Sequence, residues 1–145
     1  MSVRFESVDA TKQALASAGY IASDGLSVSL FLSLAKERPF FLEGEAGVGK
    51  TEIAKTLAAI LDRKLIRLQC YEGLDINQAV YEWNYAHQLI EIQTLKSREK
   101  ERLDKNLFDE SFLIERPLLQ SLRNDIRGAP VLLIDEIDRA DGAFE

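Results

Sequence analysis

Gly44-Glu45-Ala46-Gly47-Val48-Gly49-Lys50-Thr51 is the stretch on which the reading of this chain turns. It fits G-x-x-x-x-G-K-[ST], a loop that cradles phosphate when a strand leads into it and a helix leads out. Both flanks are predicted. Phe40-Phe41-Leu42 is a short apolar strand bounded by Pro39 and Gly44, and Ile53, Leu57, Ile60 and Leu61 share one face of a helix that opens at the loop. Glycines let successive backbone N–H groups turn inward as an anion-binding nest. The helix adds its N-terminal N–H groups and the positive end of its dipole. Gly44 to Thr51, with Glu52 in the first helical turn, are therefore candidate nucleotide contacts. Lys50 reaches the β- and γ-phosphates as a point charge, and the Thr51 hydroxyl ligates Mg²⁺. A glycine-rich turn without a ligand is the alternative, and the strand–loop–helix context disfavours it.

Working outward, Val131-Leu132-Leu133-Ile134 is an apolar run without alternation, expected to be the most buried strand, and it ends in Asp135-Glu136. In a parallel sheet the carboxyl ends of strands line the ligand crevice. Asp135 is accordingly a second Mg²⁺ ligand, and Glu136 a general base that polarises the attacking water. Lys50 and Glu136 are the catalytic candidates. Two acids that merely cap a surface helix are the alternative. The pair suits hydrolysis, since nothing suggests an acceptor site for phosphoryl transfer. No Asn-Lys-x-Asp segment occurs, which favours ATP over GTP.

The remaining chain reads as helices alternating with strands, hence an α/β fold with a parallel sheet. Ser7 or Asp9 caps a first helix through Ala14, Leu15 and Ala18 that stops at Gly19. A second starts near Asp24, carries Leu26, Leu30, Phe31 and Leu34, and ends at Pro39. Leu65, Ile66 and Leu68 form a strand interrupted by Arg67, and Asp75 with Gln78 opens another helix as a capping box. Glu91 to Lys105 is mostly charged and reads as a solvated helix or an insertion. Pro117 suits the first turn of a helix through Leu122 that ends near Gly128. Tyr81, Trp83, Tyr85 and His87 form a polar-aromatic cluster, read either as a substrate-gripping loop or, preferably, as packing of an amphipathic helix.

Bulk properties set outer bounds. The 145 residues suffice for one domain, and 46% hydrophobic with 29% charged residues is ordinary for a globular protein. A net charge of -6, with no basic cluster among aromatics, argues against nucleic acid. Cys70 and His87 are each single, so neither an internal disulfide nor a Cys/His zinc site is available. Cys70 reads as a small buried residue at a strand end rather than a reactive thiol. The N-terminus lacks a signal-peptide core, and Leu26 to Ala35 is too short to span a membrane, so the expected compartment is the cytoplasm.

Two segments carry a closer likeness. Leu42 to Lys55 and Leu132 to Ala140 resemble the MoxR-like branch of the AAA+ ATPases. Tyr71-Glu72-Gly73-Leu74-Asp75 and Phe112 to Leu119 look like the subgroup encoded beside carbon monoxide dehydrogenase genes, and the likeness runs from about Gly19 to the end. The resemblance implies a ring-forming ATPase, a hexamer, that remodels or inserts cofactors into a client metalloenzyme. It also implies a partner bearing a von Willebrand factor A domain. It further implies that Gly19-Tyr20-Ile21 borders the adenine, making Tyr20 and Ile21 cofactor contacts; the residues alone equally suit a helix C-cap followed by a half-buried aromatic. Residues 1–38 are then N-terminal helices, and 39–145 a phosphate-loop core through the acidic strand. The family pattern continues with a sensor strand, an arginine finger and a helical lid. The expectation is thus a domain incomplete at its C-terminus, weak or inactive as an ATPase, whose alternative function is a nucleotide-binding interaction module.

Overall fold

A computed structural model of the chain describes residues 5–45, 47–94, 107–123, 126–140 and 142. Its elements run α1 (Val8–Ser17), α2 (Asp24–Lys36), α3 (Lys50–Ile60), β1 (Leu65–Gln69), α4 (Ile76–Val80), β2 (Tyr81–Trp83), α5 (Tyr85–Thr94), β3 (Leu113–Glu115), α6 (Pro117–Leu122) and β4 (Val131–Asp135). They fall into two compact units, Met1–Arg67 with Asn124–Leu133, and Leu68–Arg123 with Ile134–Glu145. The fold is α/β with a small parallel sheet. Its two strands are β1 and β4, aligned by a bond from the Val131 N–H to the Lys64 carbonyl and another from the Cys70 N–H to the Asp135 carbonyl, both 2.9 Å.

In the first unit, local signals set the helix ends. The Ser7 hydroxyl accepts from the Ala10 N–H and caps α1, and Ser23 does the same for α2 through Leu26. At the far end of α1, Gly19 takes φ +84°, the Gly19 N–H donates to the Ala16 carbonyl, and the Tyr20 N–H donates to the Leu15 carbonyl. This is the double-bonded left-handed terminus that glycine admits without steric cost. α2 stops at Glu37, in the left-handed region at φ 52°, before Pro39 is reached. The core joins Leu15, Ala22, Leu30, Ile53 and Leu57, with Tyr20, Phe40, Leu42 and Ile60 packed against it. Ile60 and Leu61, expected on the buried face of α3, are only half-buried.

Two strand expectations need correction. Phe40 and Leu42 reach the core, yet residues 38–45 form no strand. Apolar character places side chains, but a strand needs a neighbour to complete its ladder. β4 is not the most buried strand either: none of its residues is buried, and Ile134 is 39% exposed, whereas Ile66 and Leu68 of β1 are at 4%. An unbroken apolar run is buried on both faces only where layers cover both.

In the second unit, Leu68, Cys70, Leu74 and Ala79 form the core, with Leu118 and Ala140 against them. Asp75 caps α4 through the Asn77 N–H, and Pro117 occupies the first turn of α6, which ends at Leu122 rather than near Gly128. β2 pairs antiparallel with β3, Glu82 opposite Ile114. Tyr81 and Trp83 are therefore strand residues, a correction to the amphipathic-helix reading, while Tyr85 and His87 do lie on α5. Trp83 meets Tyr81 and Phe108 edge-on at 6.0 and 5.2 Å, and His87 meets Phe112 at 5.0 Å. Of the charged segment from Glu91, residues to Thr94 are helical and 95–106 lie outside the described residues.

Leu15 is fully buried, and the first core converges on it. Leu15→Ala is expected to destabilise the fold by about 2–5 kcal/mol through lost burial and a residual cavity, read as a fall in the urea midpoint without a change in slope.

Candidate functional site

The phosphate loop belongs to the first unit. Gly47 and Gly49 sit at φ +85° and +88°, where a side chain would be strained, so the chain can reverse and point its amides inward. Gly49 is the N-cap of α3 and provides no side-chain cap. The Lys50 ammonium donates to the Gly44 carbonyl and to the Glu45 carbonyl, the latter at 2.7 Å. The Lys50 ammonium is thus held by backbone carbonyls of the loop itself. Thr51 is half-buried in the first turn of α3. Glu52 pairs with Lys55 at 2.9 Å on the exposed side, and Val48 is 58% exposed at the loop tip. Ala46 lies outside the described residues.

Tyr20 comes to the same place from the end of α1. Its ring lies 3.7 Å from where a Gly49 side chain would begin, and its hydroxyl donates to the Gly49 carbonyl at 3.5 Å. Ile21 does not join it and is 96% exposed. The foot of α3 is anchored separately: Arg63 donates to the Ala129 carbonyl at 2.7 Å, its guanidinium packed over Gly128.

The acidic strand end belongs to the second unit. Asp135 closes β4 half-buried. Glu136 follows in the left-handed region, φ 54° and ψ 45°. A non-glycine residue there costs roughly 1–2 kcal/mol. Such strain is concentrated at functional positions. The Glu136 carboxylate accepts from Arg139 Nε at 2.9 Å across a 3-10 turn, Ile137–Arg139, that the Arg139 N–H to Glu136 carbonyl bond closes.

Cys70 is a neighbour of Asp135 that motif spacing alone does not reveal; the signal is that β1 and β4 align in parallel and end together. Its side chain is buried, as its composition suggested, and burial pushes the thiol pKa up, with the Asp135 and Asp138 charges adding to the effect.

A family model described as the AAA domain of the dynein-related subfamily matches residues 39–144, spanning both the loop and the acidic strand end. The chain belongs to the AAA family. Comparison with curated proteins and with solved structures gives no match. For this AAA chain the family establishes an ATPase-type, nucleotide-binding function. No helix among the described residues is long and apolar enough to cross a membrane.

The Cys70 geometry generates a pH dependence. With the folded thiol raised, the unfolded thiol ionises first, so stability should hold below the ordinary thiol range of about 8.5 and fall as pH rises through it. Urea unfolding between neutral and alkaline pH should show a steeper decline for the native protein than for Cys70→Ala. Folded protein should also resist thiol-modifying reagents that react once it is unfolded.

Proposed function

We propose that this AAA chain is a MoxR-type ATPase that uses Mg²⁺-dependent ATP hydrolysis to remodel, or insert a cofactor into, a client metalloenzyme. The observation that carries the nucleotide part is the loop itself: positive-φ glycines, a helix start with no side-chain cap, and a lysine ammonium resting on the loop carbonyls. In this reading the backbone from Gly44 to Thr51, with Glu52 behind it, receives the phosphates. Lys50 exchanges the Gly44 and Glu45 carbonyls for phosphate oxygens, a stronger charge-assisted partner. By the resemblance, Thr51 and Asp135 would hold Mg²⁺, which would supply charge neutralisation for phosphoryl transfer. Glu136 takes the proton of the attacking water; its left-handed backbone is the kind of strained geometry such a role accompanies.

The client, the von Willebrand factor A partner and the hexameric ring rest on sequence resemblance. Support for the subgroup comes from residues 71–75 and 112–119. Within them Leu74 and Phe112 are buried, and Asp75 and Pro117 open helices. The domain reading keeps 1–38 as leading helices and 39–145 as the phosphate-loop core. A cytoplasmic site of action agrees with a single, buried cysteine.

Lys50→Ala removes one charge from the phosphate site, worth about 1.5–3 kcal/mol and hence roughly tenfold or more in ATP affinity; calorimetry showing undiminished affinity would remove the loop assignment. Glu136→Gln should bind ATP normally but turn it over about 10²–10⁴-fold more slowly, the range that general-base catalysis contributes. Phosphate release at the native rate would reduce Glu136 to a surface acid.

A further inference from the structure

We propose that Arg139 is a positioning residue for Glu136, holding its carboxylate in the orientation from which it takes the proton of the attacking water. The proposal rests on the reading of Glu136 as the base and deepens it. Asp135, Glu136 and Arg139 lie on one short turn whose two ends are fixed within the second unit. At its start the Asp135 carbonyl accepts from the Cys70 N–H at 2.9 Å, and at its end Ala140 packs on the Leu68, Cys70, Leu74 and Ala79 core. Between them the Arg139 N–H closes on the Glu136 carbonyl at 2.9 Å, and the Ala140 N–H on the Ile137 carbonyl at 3.0 Å. Side chains three residues apart line up in a 3-10 turn. Arg139 accordingly pairs with Glu136, Nε to Oε2 at 2.9 Å, rather than with its neighbour Asp138.

A fixed backbone does not by itself fix this acid. A glutamate side chain is rich in rotamers, and that of Glu136 is 42% exposed, so packing does little to choose among them. Among the described residues Arg139 is the ion-pair partner of its carboxylate, and no second one is present. A carboxylate has about four lone-pair sites, so one held by an arginine nitrogen leaves acceptors for a water. In the reaction the proton passes from that water to Glu136, the water oxygen bonds to the γ-phosphorus, and the bond to the ADP oxygen breaks. Arg139 stays on the carboxylate throughout. Both side chains are largely exposed, and a surface pair of this kind adds little to folding. What it supplies is orientation, which can be separated from stability.

Nitrogen-15 relaxation of the Arg139 Nε–H in the full chain, its resonance assigned by its loss in Arg139→Lys, reads the pair directly. The expected result is a restrained Nε–H in the native chain, freed in Glu136→Ala, and still restrained with Mg²⁺, ADP and beryllium fluoride bound. An Nε–H as mobile in the native chain as in Glu136→Ala overturns the proposal. So does one that the nucleotide releases, since the pair would then hold the base back rather than orient it. Turnover is the complement. Arg139→Gln should keep the native urea midpoint and ATP affinity while releasing phosphate about two- to fivefold more slowly, the scale of a surface ion pair. Arg139→Lys should recover most of that loss. Beside Glu136→Gln, the Arg139→Gln change should have no further effect, and an equal loss there marks a structural role and overturns the proposal. Where turnover is too slow to compare, the relaxation measurement decides. A native chain that binds no nucleotide removes the reading of the whole site, and this proposal with it. A mobile Arg139 in a chain that does bind nucleotide removes this proposal alone.

Discussion

The turn into α3 is a helix start that no side chain caps. Every helix leaves its first N–H groups without internal partners, and proteins normally satisfy them with a serine, threonine or aspartate. This chain does so with Ser7, Ser23 and Asp75 at α1, α2 and α4, and withholds it at α3, where the cap is Gly49, as it does at the proline-led α6, where the cap is Arg116. On the proposed reading a phosphate completes the turn into α3, and the surroundings hold it in place. Lys50 lies across the loop carbonyls, Tyr20 packs on Gly49, Ile53 and Leu57 bury the far face of the helix, and Arg63 ties its foot to the Ala129 carbonyl.

Much of this was legible in the sequence because it is encoded locally. A serine before an apolar period, a glycine after one, and a proline at a helix's first turn each act within a few residues. They located α1, α2 and α6. The candidate phosphate loop stands out for the same reason, since its glycines, lysine and threonine are contiguous. Ser7 rather than Asp9 is the cap of α1, a choice that only the geometry makes.

What the sequence misstates depends on neighbours. The apolar content of Phe40-Phe41-Leu42 predicts burial correctly for Phe40 and Leu42, but not a ladder, because pairing requires a second strand. Val131 to Ile134 reads as a fully buried strand, yet burial depends on what lies over each face. Tyr81 and Trp83 alternate with polar residues, which suits a strand as well as it suits a loop or helix, and the bond network with β3 decides. Among the candidate site residues, the acids Asp135 and Glu136 are visible in the sequence. The left-handed backbone of Glu136, its Arg139 partner and the Cys70 neighbour of Asp135 are not.

The core of the first unit bears on what constitutes a self-supporting piece of this chain. The family match begins at residue 39, yet Leu15, Ala22 and Leu30 come from before that point, against Ile53 and Leu57 after it. The two leading helices are thus the other half of the surface on which α3 is packed. A boundary drawn where family similarity begins would cut through the hydrophobic interior and leave the apolar face of α3 in water. Recognisable ancestry and mechanical integrity have different edges here, and the second lies upstream of the first.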